Sequence, residues 1–512
     1  MSSSVVDAAQ LGFSPGFART MSGSVTTVDV DRAVDVFSDL HDRGRTPSTG
    51  WYRSRIPAVA PGAGEQYAFE VDLDACTGCK ACVVACHSMN GLDEGELWRN
   101  VGLLESVRAD APDQRTVTTA CHHCVDPACL NGCPVNAYDK DVLTGVVVHL
   151  DDQCIGCSYC TMMCPYEVPV FNERLGIVRK CDMCHGRLAA GEAPACVQGC
   201  PNAAIRITIT RTDRDVSEQL VPGAPLSSLT RPTTQYLTAS PGLLGGAANP
   251  VFRQADASVS VAHGHEPLVA MLLLIQLAAG VSIADRSGQL AWLSALLGFV
   301  AAGCSSLHLG RPQYAWRVVL GVKHSWLSRE AIAVGLFVGS CLVHLWARGT
   351  WSWALSAVAA LAVTFASTRV YSETRRALWL FSRTGGRFGA VVLYSALLVS
   401  SVTANPTTSS NSVVALSALF GVVAVADLTR PSRYRRTGLA SLGRTAWLLT
   451  NDLRPWHLAQ CGAATVATAS SLLWALSGRS SAGSLTACAG LVSFVLQRVL
   501  FFRSVSPDRM PQ

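Results

Sequence analysis

Charge is scarce in this sequence. Only 15% of its 512 residues are Asp, Glu, Lys or Arg, whereas 49% are apolar, and the mean hydropathy is +0.28. That balance excludes a single ordinary soluble domain and calls for a membrane portion. A formal net charge of only +5 gives no reason to expect a nucleic-acid partner. The N-terminus shows no export segment: the first basic residue is Arg19, no apolar run follows it, and no twin-arginine pair occurs there. A folded N-terminal domain is therefore expected to stay on the cytoplasmic side. Acidic residues are almost missing from the apolar stretches of the second half. Their rarity disfavours a proton-pumping, energy-conserving complex.

What the chain has in excess is cysteine, 20 in all. Four of them, Cys304, Cys341, Cys461 and Cys488, are scattered through apolar segments and read as small packing residues. The others fall into four groups of four. They are Cys76, Cys79, Cys82, Cys86; Cys121, Cys124, Cys129, Cys133; Cys154, Cys157, Cys160, Cys164; and Cys181, Cys184, Cys196, Cys200. Groups one and three read C-x2-C-x2-C-x3-C. The second reads C-x2-C-x4-C-x3-C and the fourth C-x2-C-x11-C-x3-C. Pro134, Pro165 and Pro201 follow the last cysteine of three groups. This is the bacterial ferredoxin arrangement, in which three close thiolates hold one cluster and the fourth reaches across to another. Disulfides would need an oxidising compartment. Zinc sites usually pair two C-x2-C knuckles rather than repeat three-cysteine runs. Sixteen thiolates complete four [4Fe–4S] clusters with none left over.

Residues 1–66 form an N-terminal extension. Val30, Val34 and Phe37 recur at helical spacing and predict a short amphipathic helix ending near Gly44. Pro47, Pro57 and Pro61 with Gly50, Gly62 and Gly64 predict loop after it. The extension reads as a flexible segment or an arm for a partner subunit. Residues 67–210 form the cysteine domain. Alternating stretches at 67–75 and 145–153 lead into Cys76 and Cys154, and 203–210 follows Cys200 in the same style. The repetition predicts two ferredoxin-like modules carrying two clusters each. Arg179 and Lys180, just before Cys181, read as compensation for cluster charge, a partner contact or a solvated pair. Residues 211–266, rich in Pro, Gly, Ser, Thr and Ala, read as a long linker lying on a partner or on the membrane face.

Residues 267–505 predict eight membrane spans, near 267–284, 289–307, 331–347, 351–368, 388–404, 411–427, 458–477 and 483–502, each approaching the ~20 residues a bilayer requires. The fold class is thus an α+β tandem ferredoxin-like iron–sulfur domain followed by an all-α eight-helix transmembrane bundle. Basic residues concentrate in alternate loops: Arg311, Arg317, Lys323 and Arg329; Arg369, Arg375, Arg376, Arg383 and Arg387; and Arg430, Arg433, Arg435, Arg436, Arg444 and Arg454. The opposite loops carry only Arg286, Arg348 and Arg479. An even number of spans puts the basic loops on the side of the cysteine domain, and the positive-inside rule makes that side cytoplasmic. A membrane haem needs two facing histidines. Only His344 lies well within a span, so no haem is expected.

The cysteine stretch, over residues 67–210, resembles the iron–sulfur subunit of the dimethyl-sulfoxide-reductase family of molybdenum enzymes, with all four groups matching in order and spacing. The membrane half resembles that family's eight-helix anchor subunit, most clearly at His308-Leu-Gly-Arg-Pro-Gln-Tyr-Ala-Trp and from Ser325 to Glu330. The chain is therefore similar to a fusion of two subunits that are usually separate. The resemblance implies that Cys76, Cys79 and Cys82 share a cluster with Cys200, and Cys181, Cys184 and Cys196 one with Cys86. Likewise it groups Cys121, Cys124 and Cys129 with Cys164, and Cys154, Cys157 and Cys160 with Cys133. In nitrate-reductase relatives one third-group cysteine is replaced and a three-iron cluster results. Here Cys157 is present, so four four-iron clusters are expected.

The same resemblance implies a quinone site at His308 and Glu330, with Arg369 and Tyr371 as further candidates. A carboxylate at a membrane boundary accepts a proton from quinol, and an imidazole hydrogen-bonds a quinone oxygen. The bland reading is that His308 caps a helix and Glu330 pairs with Arg329. The expected role is that of a non-catalytic electron-transfer and anchor subunit in the inner membrane. It would pass electrons between menaquinone or ubiquinone and a separate molybdopterin subunit of sulfoxide or N-oxide reductase or sulfite dehydrogenase type. Several family members carry their iron–sulfur subunit outside the cytoplasm. The charge bias here favours the cytoplasm-facing plan of a sulfite dehydrogenase. The alternative is a membrane-bound redox relay or sensor without a molybdenum partner.

Overall fold

The computed structural model describes residues 52–107, 113–239, 244, 252–255, 259–403 and 406–511. The helix predicted around Val30–Phe37 lies outside the described residues. The first half runs β1 (Glu65–Asp72), α1 (Ala81–Met89), β2 (Asn100–Ser106), β3 (Gln114–Thr119), α2 (Ala128–Gly132), β4 (Tyr138–Lys140), β5 (Val147–His149), α3 (Tyr159–Met163), β6 (Val170–Asn172), β7 (Ile177–Arg179), α4 (His185–Ala189), α5 (Ala195–Gln198), β8 (Ile205–Arg211), β9 (Gln235–Leu237) and β10 (Phe252–Gln254).

This half is a ferredoxin-like domain. β1 pairs antiparallel with β8, from Glu65 opposite Arg211 to Val71 opposite Ile205. Alternation in both strands sends Phe69, Val71, Ile205 and Ile207 into the interior, as a half-buried strand requires. Two ferredoxin-like modules are present, and their cysteine groups pair as the resemblance implies. The first and fourth cysteine groups meet where α1 packs on α5, and the second and third where α2 packs on α3. The cysteine loops repeat one backbone device, positive φ at Gly78 and Lys80 in group one and at Gly156 and Ser158 in group three. Such turns aim successive N–H groups inward.

The stretch expected to be a linker is, where described, part of this domain. β9 adds to β1 in parallel and β10 adds to β2. Leu220, Val221, Ala224 and Tyr236 are buried against Val71 and Leu104. Its composition resembles a linker because the segment is mostly turns, yet its few apolar residues cover the sheet.

The second half is helical: α6 (Glu266–Ala284), α7 (Ala291–Ser306), α8 (Trp326–Ala347), α9 (Thr350–Ser372), α10 (Phe381–Thr403), α11 (Pro406–Leu428), the short α12 (Arg430–Arg435) and α13 (Ala440–Thr450), then α14 (Arg454–Ser477) and α15 (Ser480–Arg503). Among the described residues, eight long helices thus match the predicted spans, and six of them are long and apolar enough to cross a membrane. Of the other two, α7 falls short in length and α14 in apolarity. Large apolar side chains such as Trp346 and Leu476 point outward. Small residues let helices approach: a Cβ on Gly280 would lie 2.2 Å from Val392 O of α10, the close contact that membrane helices favour. Cys341 and Cys461 are buried as expected of packing residues, but Cys304 is half-buried and Cys488 is exposed.

The two halves share one core. Tyr159, Met162 and Met163 of the cysteine domain pack in the same apolar cluster as Leu268, Leu272, Tyr371 and Trp379. The C-terminal tail returns to the domain: Met510 is buried beside Leu104 and Tyr166, and Arg444 holds Asp508 at 2.7 Å.

Candidate functional site

None of the 20 cysteines forms a disulfide. Cys121, Cys124, Cys129 and Cys164 line one cavity of about 20 Å³, and Cys76, Cys79, Cys82 and Cys200 line another. Cys157 and Cys160 lie within electrostatic reach of Cys133 and Cys154. Cys86 lies in reach of Cys184 and Cys196, and Cys181 in reach of Cys86 and Cys196. Backbone amides turn toward the sulfurs, as from Ala137 to Cys133 Sγ (3.3 Å) and from Gly156 to Cys154 Sγ (3.4 Å). Among the described residues no three His, Cys, Asp or Glu side chains converge as one metal ion would need. The sulfurs surround spaces rather than points, which suits polynuclear clusters.

The surroundings fit the same group. Burial pushes the Cys86 thiol up to about 12 and Cys164 up to about 11. Buried thiols become thiolates only when a cation compensates them. His122 Nε2 and His123 Nε2 are buried beside the second group without a hydrogen-bond partner, and the sulfides of a cluster held there would offer acceptors. Burial pushes His122 down to about 3 and His123 well below its usual value, so both rings are neutral at pH 7.

Among the described residues of this domain, Arg99 and Lys180 are fully buried cations. Burial opposes the charge of Arg99, but Cys196, Cys82, Cys181 and Cys86 hold its guanidinium above the ordinary value. It donates to Thr118 Oγ1 at 3.1 Å. Burial likewise opposes Lys180, and Cys121, Cys129 and Cys181 outweigh it. Lys180 is 2% exposed, so it is no solvated pair with Arg179, which instead binds Glu96 at 3.2 Å. Arg99 carries no sequence signal, since it lies outside every cysteine group.

At the membrane end, the segment 307–325 docks on the second and third groups. Gly310 N donates to Gly156 O at 3.3 Å, Arg311 N to Ile155 O at 3.1 Å and Gly321 N to Pro134 O at 2.8 Å. Ser325 Oγ donates to Gly132 O at 2.7 Å. A Cβ on Gly310 would lie 2.2 Å from Gly176 O, and one on Gly156 would lie 2.3 Å from the same atom. Three glycines therefore let three backbone segments meet, and His308 and Cys157 line the cavity beside this contact.

Between them lies a cavity of about 220 Å³, lined by Cys157, Tyr159, His308, Glu330 and Tyr371 with apolar walls from Leu268, Met271 and Val334. Tyr159 is fixed by its hydroxyl donating to Val370 O at 2.6 Å. Glu330 Oε1 and His308 Nδ1 are buried without a well-formed hydrogen bond, with Ser367 beside the carboxyl group and the Ser305 backbone beside the imidazole. Burial pushes the His308 imidazole down to about 4, aided by His265. Arg329 does not pair with Glu330: it donates to Val322 O and Lys323 O and stacks on Trp326. Arg369 lies outside the cavity lining and pairs with Glu373. His344, the one histidine expected within a span, has both ring nitrogens engaged, with Ser352 Oγ and Asp285 O at 3.0 Å each.

The 4Fe-4S dicluster domain family matches residues 113–209. The B polypeptide of anaerobic dimethyl sulfoxide reductase from Haemophilus influenzae is 34% identical over 180 residues, 33% of this chain and 87% of the relative. The protein of the same name from Escherichia coli is 39% identical over 150 residues, 27% of this chain and 72% of the relative. The formate dehydrogenase-O iron–sulfur subunit of E. coli is 31% identical over 174 residues, 31% of this chain and 58% of the relative.

Proposed function

Because the chain belongs to the family of iron–sulfur subunits that includes the B polypeptide of anaerobic dimethyl sulfoxide reductase, we propose that it is the electron-transfer and anchor subunit of a quinone-linked molybdenum oxidoreductase. Its cysteines hold four [4Fe–4S] clusters, in the order Cys76/79/82/200, Cys181/184/196/86, Cys121/124/129/164 and Cys154/157/160/133. The clusters supply one-electron transfer. The observation that carries the reading is the cavity where Cys157 meets His308, Glu330 and Tyr371.

Quinol gives up two protons with its two electrons. Glu330 Oε1 is placed to take one proton, and His308 Nδ1, an acceptor in the neutral ring, to take the hydrogen bond of the other hydroxyl and then its proton. Leu268, Met271 and Val334 exclude water from that exchange. The exposed Cys79 marks the far end, where a molybdopterin subunit would dock and carry the substrate chemistry. The basic loops on the cluster side favour an inner-membrane protein whose iron–sulfur domain faces the cytoplasm. Arg369 pairs with Glu373 and is not among the residues that line this cavity.

Two measurements test the reading. Glu330→Gln should retain cluster absorbance yet lose quinol-driven cluster reduction; normal rate and affinity would remove the quinone site. Purification in mild detergent should bring down a molybdenum-containing large subunit, and its consistent absence with intact clusters would leave a relay without a catalytic partner.

A further inference from the structure

A second, larger cavity of about 700 Å³ lies between α10, α11 and α12. Arg383, Arg387, Arg430 and Arg433 line it, and Asp427 is the one acid among its described lining residues. Asp427 is already committed: it pairs with Arg430 and accepts from Gln460. Arg387 donates to the Tyr434 hydroxyl at 2.7 Å, and Arg383 and Arg433 donate to the carbonyls of Ala377 and Ala426. Among the described residues no carboxylate pairs with Arg383, Arg387 or Arg433. Four guanidiniums thus face one space with a single carboxylate, Asp427, which is bonded to Arg430 and Gln460 and also attracts Arg387, and a further anion would lower the remaining repulsion.

The position of the cavity says which anion. Arg376, just before α10, donates to Met162 O at 3.2 Å, so the arginine end of α10 faces the cluster domain at the membrane boundary. Leu393 is ten residues beyond Arg383 on the same helix, about 15 Å along its axis. It also lines the cavity, with Val422 of α11. Their side chains are 48% and 69% exposed, as lipid-facing residues are. The cavity is therefore cationic at the boundary and apolar toward the membrane interior, with its side open between helices. A soluble anion would use only the first part.

We propose that this cavity binds an anionic phospholipid, with its phosphodiester head held by Arg383, Arg387 and Arg433 and its acyl chains along Leu393 and Val422. Basic pockets between membrane helices are the ordinary means of holding such heads, and the planar guanidinium suits a phosphodiester. Four arginines against one carboxylate leave a surplus of three positive charges, which matches a head with two phosphodiesters better than a head with one. The inference rests on the helices crossing a membrane and not on the quinone reading.

The test is native mass spectrometry of the full chain in detergent, titrated with diphosphatidylglycerol, phosphatidylglycerol or phosphatidylcholine. One lipid should be retained, in that order of affinity, and excess inorganic phosphate should not displace it. Arg383→Ala with Arg433→Ala should weaken retention about 30-fold, while Asp427, Arg430 and Gln460 stay paired. If that variant loses cluster absorbance, Val422→Trp is used instead; it leaves every charge in place and should also release the lipid by filling the apolar part. Equal retention by the variants, equal retention of phosphatidylcholine, or displacement by phosphate alone would each overturn the proposal.

Discussion

Gly310→Ala tests the contact that brings the membrane helices to the cysteine domain. Its new methyl would lie 2.2 Å from Gly176 O and 2.6 Å from Gly176 C. Ordinary contact begins near 3.4 Å, so the two backbones must separate by about 1 Å, and close-packed protein yields little. Overpacking of this kind costs about 1–3 kcal/mol. Weakening the bonds from Gly310 N to Gly156 O and from Arg311 N to Ile155 O adds about 0.5–1.5 kcal/mol each. Gly303→Ala is the control, because a Cβ there meets nothing within 4 Å. Within α7 that change should stabilise by about 0.5–1 kcal/mol. Loss of cluster absorbance on heating ranks the proteins, at about 2–4 °C for each kcal/mol in a unit of this size. Gly310→Ala should melt several degrees below wild type, Gly303→Ala at or above it, and only the former should slow quinol-driven cluster reduction. If Gly310→Ala melts with wild type and keeps its rate, the glycine contact does not position the site.

Removing the charge of Lys180 with Lys180→Met should lower the potential of a neighbouring cluster by about 50–100 mV, read by redox titration of the electron paramagnetic resonance signals. Cys157→Ser should abolish quinol-driven reduction while three clusters keep their signals, whereas Cys79→Ser should leave quinol-driven reduction of the remaining clusters intact. His308 is held neutral down to about pH 4 against an ordinary 6.5. The unfolded chain therefore takes up a proton that the folded one refuses, and stability falls as pH drops from 6.5 toward 4. His308→Gln should make the melting temperature fall less between pH 7 and pH 5.

Much of this was legible because the chemistry is local in sequence. Cysteine spacing marked the cluster loops, and apolar runs marked the long helices, although three helices start five to seven residues before the predicted spans. The extended stretches before Cys76 and after Cys200 became β1 and β8. The segment 211–266 misled because β9 and β10 are three residues each, too short to show a period. Arg99 was invisible because its partners, Cys82, Cys86, Cys181 and Cys196, are distant in the chain. Lys180 was visible, but nothing in its neighbours separates a buried cation from a solvated one.

The sequence by itself determined the number of thiolates, their grouping and the presence of membrane helices. These depend on residue type and on spacing over a few residues, where periodicity and ligand reach act directly. Only the tertiary structure decided what those parts face. It placed Glu330 and His308 in one cavity with Cys157, and Arg369 is not among that cavity's lining residues. It also gathered three arginines from α10 and α12 whose described hydrogen bonds go to neutral groups. Each of these turns on backbones meeting across a hundred residues or more or on helices packing side by side, as at Gly156, Gly176 and Gly310, and no local pattern encodes that.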